Sequence, residues 1–365
     1  MADFIPGLGL CRLFFQEQVE PIVDTQFGGL KYSAALVGSG SEALGLDTVM
    51  SADHDWGPRA MLFLREDDHE KFAESMKREL SRRLPISFRG YSTSFGDPDP
   101  TDSGTRQLVP GERGAVRHRV EVLTVRSYLM DYIRFDLANA IEPADWLSIP
   151  EQKLRAFTGG AVYRDDIGLQ AQRDRFAYYP RDVWLYQLAA AWARIGQEEH
   201  LMGRAGEAGD EIGSAVIGAR LVRDIMRLCF LYERQFAPYA KWFGTAFARL
   251  ESGRKLYPVL MRALVAANWK DRERELVDAY ESLATLHQEA NLTGPIPTQA
   301  KRFFGRPFQV IAQHGFANAI KALIVDPAMK RIAQKRLIGG IDLISDNTDL
   351  VSDASWRDTL RKLYD

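Results

Sequence analysis

The chain has 365 residues, long enough for two domains or for one large domain with additions. Its 46% hydrophobic and 26% charged residues are those of an ordinary globular protein and exclude a disordered or low-complexity chain. With 47 Lys and Arg against 49 Asp and Glu the formal net charge is −2, so the basic excess of a protein built around a long nucleic acid is missing.

In chain order, the N-terminus lacks the positive region of a signal peptide, and Pro6 and Gly7 interrupt its apolar character. No run is apolar enough to span a membrane, so a cytoplasmic protein without a membrane partner is expected. Cys11 and Cys229, the only two cysteines, read as buried thiols in a reducing compartment, without the spacing of a zinc site. Residues 10–24 carry Leu10, Leu13, Phe14, Val19 and Val23 at helical spacing. Leu30 to Val37 is a short β-prone run that ends in Gly38-Ser39-Gly40-Ser41, a strand followed by a turn. Arg59 to Arg65 predicts a second strand. Asp67 and Asp68 then cap a helix to about Leu84, with basic residues near its end to suit the helix dipole. Pro85 stops it, Ile86–Tyr91 is a candidate strand, and residues 96–114, rich in Asp, Pro and Gly, read as a loop or long hairpin connection. In Val116–Val125, Val116, Val120 and Val122 fall on one face and Arg117, Arg119 and Glu121 on the other. A strand with one wet face suits the floor of a cleft.

Strand signals largely stop after residue 127. Helices are predicted from Pro180-Arg181-Asp182 onward, with Trp184, Leu188, Trp192 and Ile195 on one stripe, and over about 211–235, 255–267, 271–290, 309–324 and 327–337. The boundary between a mixed α/β part and a helical part falls near 127–150. No internal repeat is present.

The chemistry concentrates in residues 38–55. A turn of Gly and Ser directly after a strand lets backbone N–H groups approach a phosphate, since no Cβ stands in the way, and Ser39 and Ser41 add hydroxyls. Asp53 and Asp55 follow; on an extended backbone that spacing turns both carboxylates to one face. Paired carboxylates are ligands Mg²⁺ favours, with substrate phosphates completing its octahedron. Two such ions about 4 Å apart activate an attacking oxygen and neutralise a leaving pyrophosphate. His54, alternating with the aspartates, reads as a core histidine. Asp47 reads as a cap. Trp56, Pro58 and Arg59 shape the entry to the second strand, with Arg59 also within reach of a phosphate.

The ordered set of strand, Gly-Ser turn, spacer, Asp-x-Asp and second strand resembles the motif of the nucleotidyltransferase superfamily, which shares the DNA polymerase β-like fold and includes poly(A) polymerases and antibiotic-inactivating enzymes. The longer string from Gly38 to Arg59 is similar to an uncharacterised microbial branch with a helical C-terminal domain. That likeness continues at Trp184-Leu-Tyr186, Gly196-Gln-Glu-Glu199 and Tyr239-Ala-Lys-Trp242. The resemblance implies an α+β nucleotidyltransferase domain, a mixed sheet with flanking helices over residues 1–140, followed by an all-α domain over 141–365. It implies transfer of a nucleoside monophosphate from ATP or another nucleoside triphosphate, with Mg²⁺ or Mn²⁺ as cofactor. Asp53 and Asp55 would be catalytic metal ligands, and Gly38, Ser39, Gly40 and Ser41 would hold the phosphates.

The superfamily usually adds a third carboxylate from a later strand. Glu121 is the best match, holding the metal or acting as general base, ahead of Glu112 and Asp131. A basic side chain from the helical domain often contacts the triphosphate, for which Tyr239 and Lys241 are candidates; a lysine beside Trp242 equally suits a side chain lying along an aromatic ring. The stripe Arg220, Arg223 and Arg227 is the other candidate, although Asp224, four residues after Arg220, favours a salt-bridged face. Phe157 to Asp165 is similar to a stretch of the antibiotic enzymes where the chain returns along the cleft. Tyr178, Tyr179, Trp184, Tyr186 and Trp192 read as packing residues, and Lys330, Arg331, Lys335 and Arg336 as a solvated face. The near-neutral charge favours a small-molecule acceptor over nucleic acid. The alternatives are a non-catalytic nucleotide-binding scaffold and an enzyme acting on RNA or tRNA ends.

Overall fold

The computed structural model describes residues 4–52, 55–101, 104–111 and 114–365. In chain order the elements begin with α1 Gly7–Phe14, a π-helical stretch Phe15–Val19 and α2 Glu20–Gln26. Then follow β1 Ser33–Leu36, β2 Arg59–Leu64, α3 Glu66–Arg83, β3 Ser87–Phe88, β4 Tyr91–Ser92, β5 Arg119–Thr124 and α4 Val125–Ile133. Next come α5 Pro143–Ser148, α6 Glu151–Thr158, β6 Ala161–Asp165 and α7 Leu169–Asp174. The long helices are α8 Arg181–Glu207, α9 Glu211–Tyr232, α10 Ala240–Phe247, α11 Glu251–Val265 and α12 Trp269–Glu289. The short β7 Lys301–Arg302 and β8 Gln309–Val310 and the helices α13 Phe316–Lys321 and α14 Pro327–Gln334 come after them, before the last short helical turns. Among the described residues no helix is long and apolar enough to cross a membrane. Cys11 and Cys229 are both buried and free.

The chain forms two compact units, one of residues 1–140 and 153–177, the other of 141–152 and 178–365. The expected division at 140/141 differs in the second passage of chain, because residues 153–177 bring β6 back to the first sheet. That sheet has the order β5-β2-β1-β6. β1 runs antiparallel to β2 and β6, whereas β2 and β5 are parallel, so the sheet is mixed. The parallel step puts α3 between β2 and β5, as a crossover requires. α3 has three acidic residues in its first turn and Arg82 and Arg83 in its last, the arrangement a helix dipole favours.

One sheet face forms the core of this unit. Ala34, Leu62, Leu64, Val120 and Val122 pack there with Leu10, Phe14 and Val19 and with Met76 and Leu80 of α3. Full burial of each large apolar side chain contributes about 1.5–3 kcal/mol. The other face is set by strand alternation: Arg59, Met61 and Phe63 of β2 lie in register with Arg119, Glu121 and Leu123 of β5. There Phe63 meets the edge of Tyr128, which contacts Phe157 in turn. Ile86–Tyr91, expected as a strand, is a two-residue hairpin that turns at Arg89 and Gly90, both at positive φ.

The second unit is helical apart from β7 and β8. α8, with 27 residues, is about 40 Å long. Trp192 stacks on Phe316 at 4.2 Å between centroids, and its indole N–H donates to the Tyr232 hydroxyl at 2.7 Å. Trp184 donates to the Leu231 carbonyl at 2.7 Å, and Tyr186 is fully buried, so these aromatics pack the helices together as expected. Lys330, Arg331, Lys335 and Arg336 are exposed. The helix expected over 309–324 is replaced by β8, a 3₁₀ turn and α13, because Gly315 takes φ +92° and breaks the run.

The Glu199 carboxylate of α8 accepts the N–H groups of Ile311 (2.7 Å) and Ala312 (3.2 Å), and burial pushes its pKa up to about 7 against the pull of those two bonds. Burial moves Glu151 to about 7 and Asp224 to about 6 in the same direction. A folded-state pKa above the unfolded value stabilises fully below the unfolded pKa and loses that contribution as pH rises through the folded one. The helical unit is therefore expected to lose stability from about pH 4.5 to pH 7, with Glu199 contributing about 3 kcal/mol to the slope. Urea titrations at pH 5 and pH 7.5 check this. Glu199→Gln should flatten the difference; an unchanged slope in that variant contradicts it.

Candidate active site

The turn after β1 is fixed by two glycines. Gly38 takes φ +86° and Gly40 φ +133°, conformations that suit residues without a Cβ. A Cβ on Gly38 would lie 2.5 Å from the Tyr128 hydroxyl, and one on Gly40 would lie 2.5 Å from Nη2 of Arg59 and 2.6 Å from Oε2 of Glu42. The Gly38 N–H donates to the Ala156 carbonyl at 2.9 Å. Gly160 N–H donates to Ala43 O at 2.6 Å, so the returning segment Phe157–Asp165 braces the turn before entering β6.

Ser39 is exposed, Gly40 half-buried, and Gly38 and Ser41 buried. The Ser41 hydroxyl donates to Ser51 Oγ at 3.3 Å. Tyr132 stands behind Ser39, its pKa pushed up to about 12 by burial, with a hydrogen bond from the Ser39 side chain pulling the other way. Among the described residues, the backbone N–H groups of Ser39, Gly40, Ser41, Glu42 and Ala43 meet no acceptor. Such groups are ordinarily paired, so five in succession at a turn make a donor surface suited to an anion.

Glu42, which no motif or spacing marks, anchors this turn. Its side chain is 2% exposed and its Oε1 accepts Arg59 Nε at 2.9 Å. Arg59 Nη2 reaches the Ser39 carbonyl at 3.0 Å and also contacts Glu42. Burial pulls the Arg59 pKa down, but the charge and hydrogen bond of Glu42 together with the neighbouring Cys11 and Glu121 outweigh it, so the net shift is upward. Arg59 therefore binds the turn to the start of β2.

Asp55 departs from the extended backbone expected of the Asp-x-Asp pair. It takes φ +50°, a left-handed conformation that Asp tolerates, and sits in the bend that leads through Gly57 to β2. Its N–H donates to Arg106 O at 2.8 Å, and Oδ1 accepts Arg106 N–H at 3.1 Å. The same oxygen forms an ion pair with Arg119 Nη1. Asp53 and His54 lie outside the described residues, as does Glu112. Asp131 is exposed on α4. Asp47 caps as expected: Oδ2 accepts the N–H of Gly7 at the start of α1 (2.6 Å) and the Trp56 indole N–H (3.1 Å).

Glu121 is exposed on β5, opposite Met61 and two residues from Arg119 on the same face, where alternate residues are about 7 Å apart. Among the described residues it has no hydrogen-bond or ion-pair partner, although its charge acts on Arg59 and on Tyr128. The Tyr128 hydroxyl, buried beside Gly38, also lacks a partner among the described residues. The turn at 38–41, Arg59, Arg119, Glu121 and Asp55 thus gather at one face of the sheet.

Tyr239 and Lys241 belong to the helical unit. Tyr239 precedes α10 and is 37% exposed. Lys241 is exposed, with Nζ 5.1 Å from the Trp242 ring centroid. In the arginine stripe, Arg220 pairs with Glu198 and Arg223 with Asp346 at 3.6 Å, while Arg227 lies over Phe243. The Asp224 partner is Arg194, at 3.5 Å, and not Arg220 as its spacing suggested.

Three or more His, Cys, Asp or Glu side chains placed to hold a metal do not occur among the described residues. The donor chemistry of Asp55 and Glu121 still suits a hard divalent cation: Glu121 is unpartnered among the described residues, and only Oδ1 of Asp55 is engaged there.

A family model described as a domain of unknown function (DUF4037) matches residues 146–243. The match takes in Trp184, Tyr186 and the Tyr239–Trp242 segment. Among solved structures the chain is similar to a nucleotidyltransferase-like protein from Exiguobacterium sibiricum 255-15, with 11% identity, 76% of this chain and 78% of that chain covered, and a TM-score of 0.31. No curated protein matches the chain.

Proposed function

We propose that the first unit carries a nucleotidyltransferase site that moves a nucleoside monophosphate from ATP, or another nucleoside triphosphate, to the hydroxyl of a small molecule. The observation that carries this reading is the meeting, on one sheet face, of a turn whose N–H groups meet no acceptor among the described residues with the carboxylates of Asp55, before β2, and Glu121, on β5. Ser39, Gly40 and Ser41 bind the phosphate chain, their N–H groups supplying fixed partial charges that need no reorganisation. Asp55 and Glu121, with Asp53, hold Mg²⁺ or Mn²⁺, which when bound supplies neutralisation of the phosphate charge. Glu121 receives the proton of the acceptor hydroxyl as its oxygen bonds to the α-phosphorus; the bond to the bridging oxygen breaks and pyrophosphate leaves. The net charge of −2 supports a small acceptor over a nucleic acid.

The test is mass spectrometry of a metabolite and aminoglycoside library incubated with ATP and Mg²⁺. A product heavier by one nucleoside monophosphate, absent with Asp55→Asn, is the expected result. Equal product formation by that variant overturns the assignment of Asp55.

A further inference from the structure

Arg119 has no part in the transfer just described, yet it makes the one ion pair that Asp55 has among the described residues. Arg119 and Glu121 are next-but-one neighbours on the same face of β5, so the cation stands beside a carboxylate that has no partner among the described residues. The Arg119 and Asp55 side chains are 20% and 31% exposed, and the guanidinium also lies 5.9 Å from the Phe95 ring centroid. Asp55 is separately held by its N–H donating to the Arg106 carbonyl and by its carboxylate accepting the Arg106 N–H, so its bend has support besides Arg119. Arg59, by contrast, is bound to Glu42 and the Ser39 carbonyl. Arg119 is thus the cation whose charge bears directly on Asp55, and its side chain is only partly buried.

We infer that Arg119 is a counter-cation of the site: its ion pair with Asp55 Oδ1 offsets that carboxylate's charge in the metal-free chain and competes with a divalent cation that binds between Asp55 and Glu121. This rests on the proposed metal-dependent reading of the same site. A divalent cation that shares Asp55 with a guanidinium binds more weakly than one entering a free carboxylate pair, because the two positive charges repel and the ion pair is weakened on binding. The guanidinium sets the metal affinity through competition. A merely structural clasp would do the opposite, since its removal would loosen Asp55 and weaken the metal.

Mn²⁺ binding by the full chain, followed by electron paramagnetic resonance of the free ion at fixed ionic strength, separates these outcomes. Arg119→Gln is expected to bind Mn²⁺ about tenfold more tightly than wild type, Arg119→Lys to stay near wild type, and Asp55→Asn on the Arg119→Gln background to abolish the gain. Thermal melting of each variant reports folding independently of metal. Saturable Mn²⁺ binding that is lost in Glu121→Gln but equal or weaker in Arg119→Gln overturns the counter-cation role and leaves the metal site standing. The absence of saturable Mn²⁺ binding in every variant overturns the metal reading and the inference together.

Discussion

Asp55→Asn is expected to lower nucleotidyl transfer by about a thousandfold, the equivalent of about 4 kcal/mol of transition-state stabilisation. The substitution is chosen for what it keeps. Asparagine tolerates the left-handed φ of +50° and retains an oxygen to accept the Arg106 N–H, so the bend into β2 survives. What it removes is the negative charge, which the proposed chemistry uses to hold a cation against the phosphates. Glu121→Gln is isosteric and exposed, and is expected to lose activity to a similar degree with little change in melting temperature. Steady-state pyrophosphate release, measured beside a thermal melt, checks both. A variant that melts as wild type and turns over within threefold of it would remove that carboxylate from the chemistry.

The largest stability effect is expected at Glu42. Removing one member of a buried ion pair leaves the other charge without compensation, a loss of about 3–5 kcal/mol, whereas exposed pairs such as Lys77–Glu74 are screened by water and contribute little. Glu42→Gln should therefore lower the unfolding midpoint of the first unit far more than Glu74→Gln. Because Arg59 also bonds the Ser39 carbonyl, the loss also loosens the Gly38–Ser41 turn. Replacing both partners by apolar residues, Glu42→Leu with Arg59→Met, should recover much of the stability but not the activity. Denaturant titration of the set checks this; a Glu42→Gln midpoint equal to wild type would contradict it.

Much of the first unit is legible in residue patterns. β2 and α3 are written locally, in a run of apolar residues and in charges sorted along a helix. The alternation in β5 names which side chains face the core and which face the site, and so places Arg119 and Glu121 on one face. β6 is not legible in the same way. Four of its five residues are half-buried and Asp165 is exposed; the strand lies at a sheet edge, follows two glycines, and pairs with β1 across a register shift, so alternation is weak. The Glu42–Arg59 pair joins positions 17 apart through a turn whose shape depends on Gly38 and Gly40, and no periodicity reports it. Asp55 shows the same limit: the spacing of two aspartates suggests an extended backbone, but hydrogen bonds exchanged with Arg106, 51 residues away, hold a bend. In the helical unit, helix stripes name the long helices, while Gly315 and the Glu199 carboxylate decide the irregular chain after residue 308.

The position of the label that moves tests nucleotidyl transfer most directly. The full chain is incubated with Mg²⁺ and the metabolite and aminoglycoside library, once with ATP labelled at the α-phosphate and once with ATP labelled at the γ-phosphate. The α-label is expected in a new acceptor-bound product and the γ-label in pyrophosphate, with both lost in Asp55→Asn. Movement of the γ-label to the acceptor, or ATP bound without release of pyrophosphate under any acceptor, would contradict the assignment.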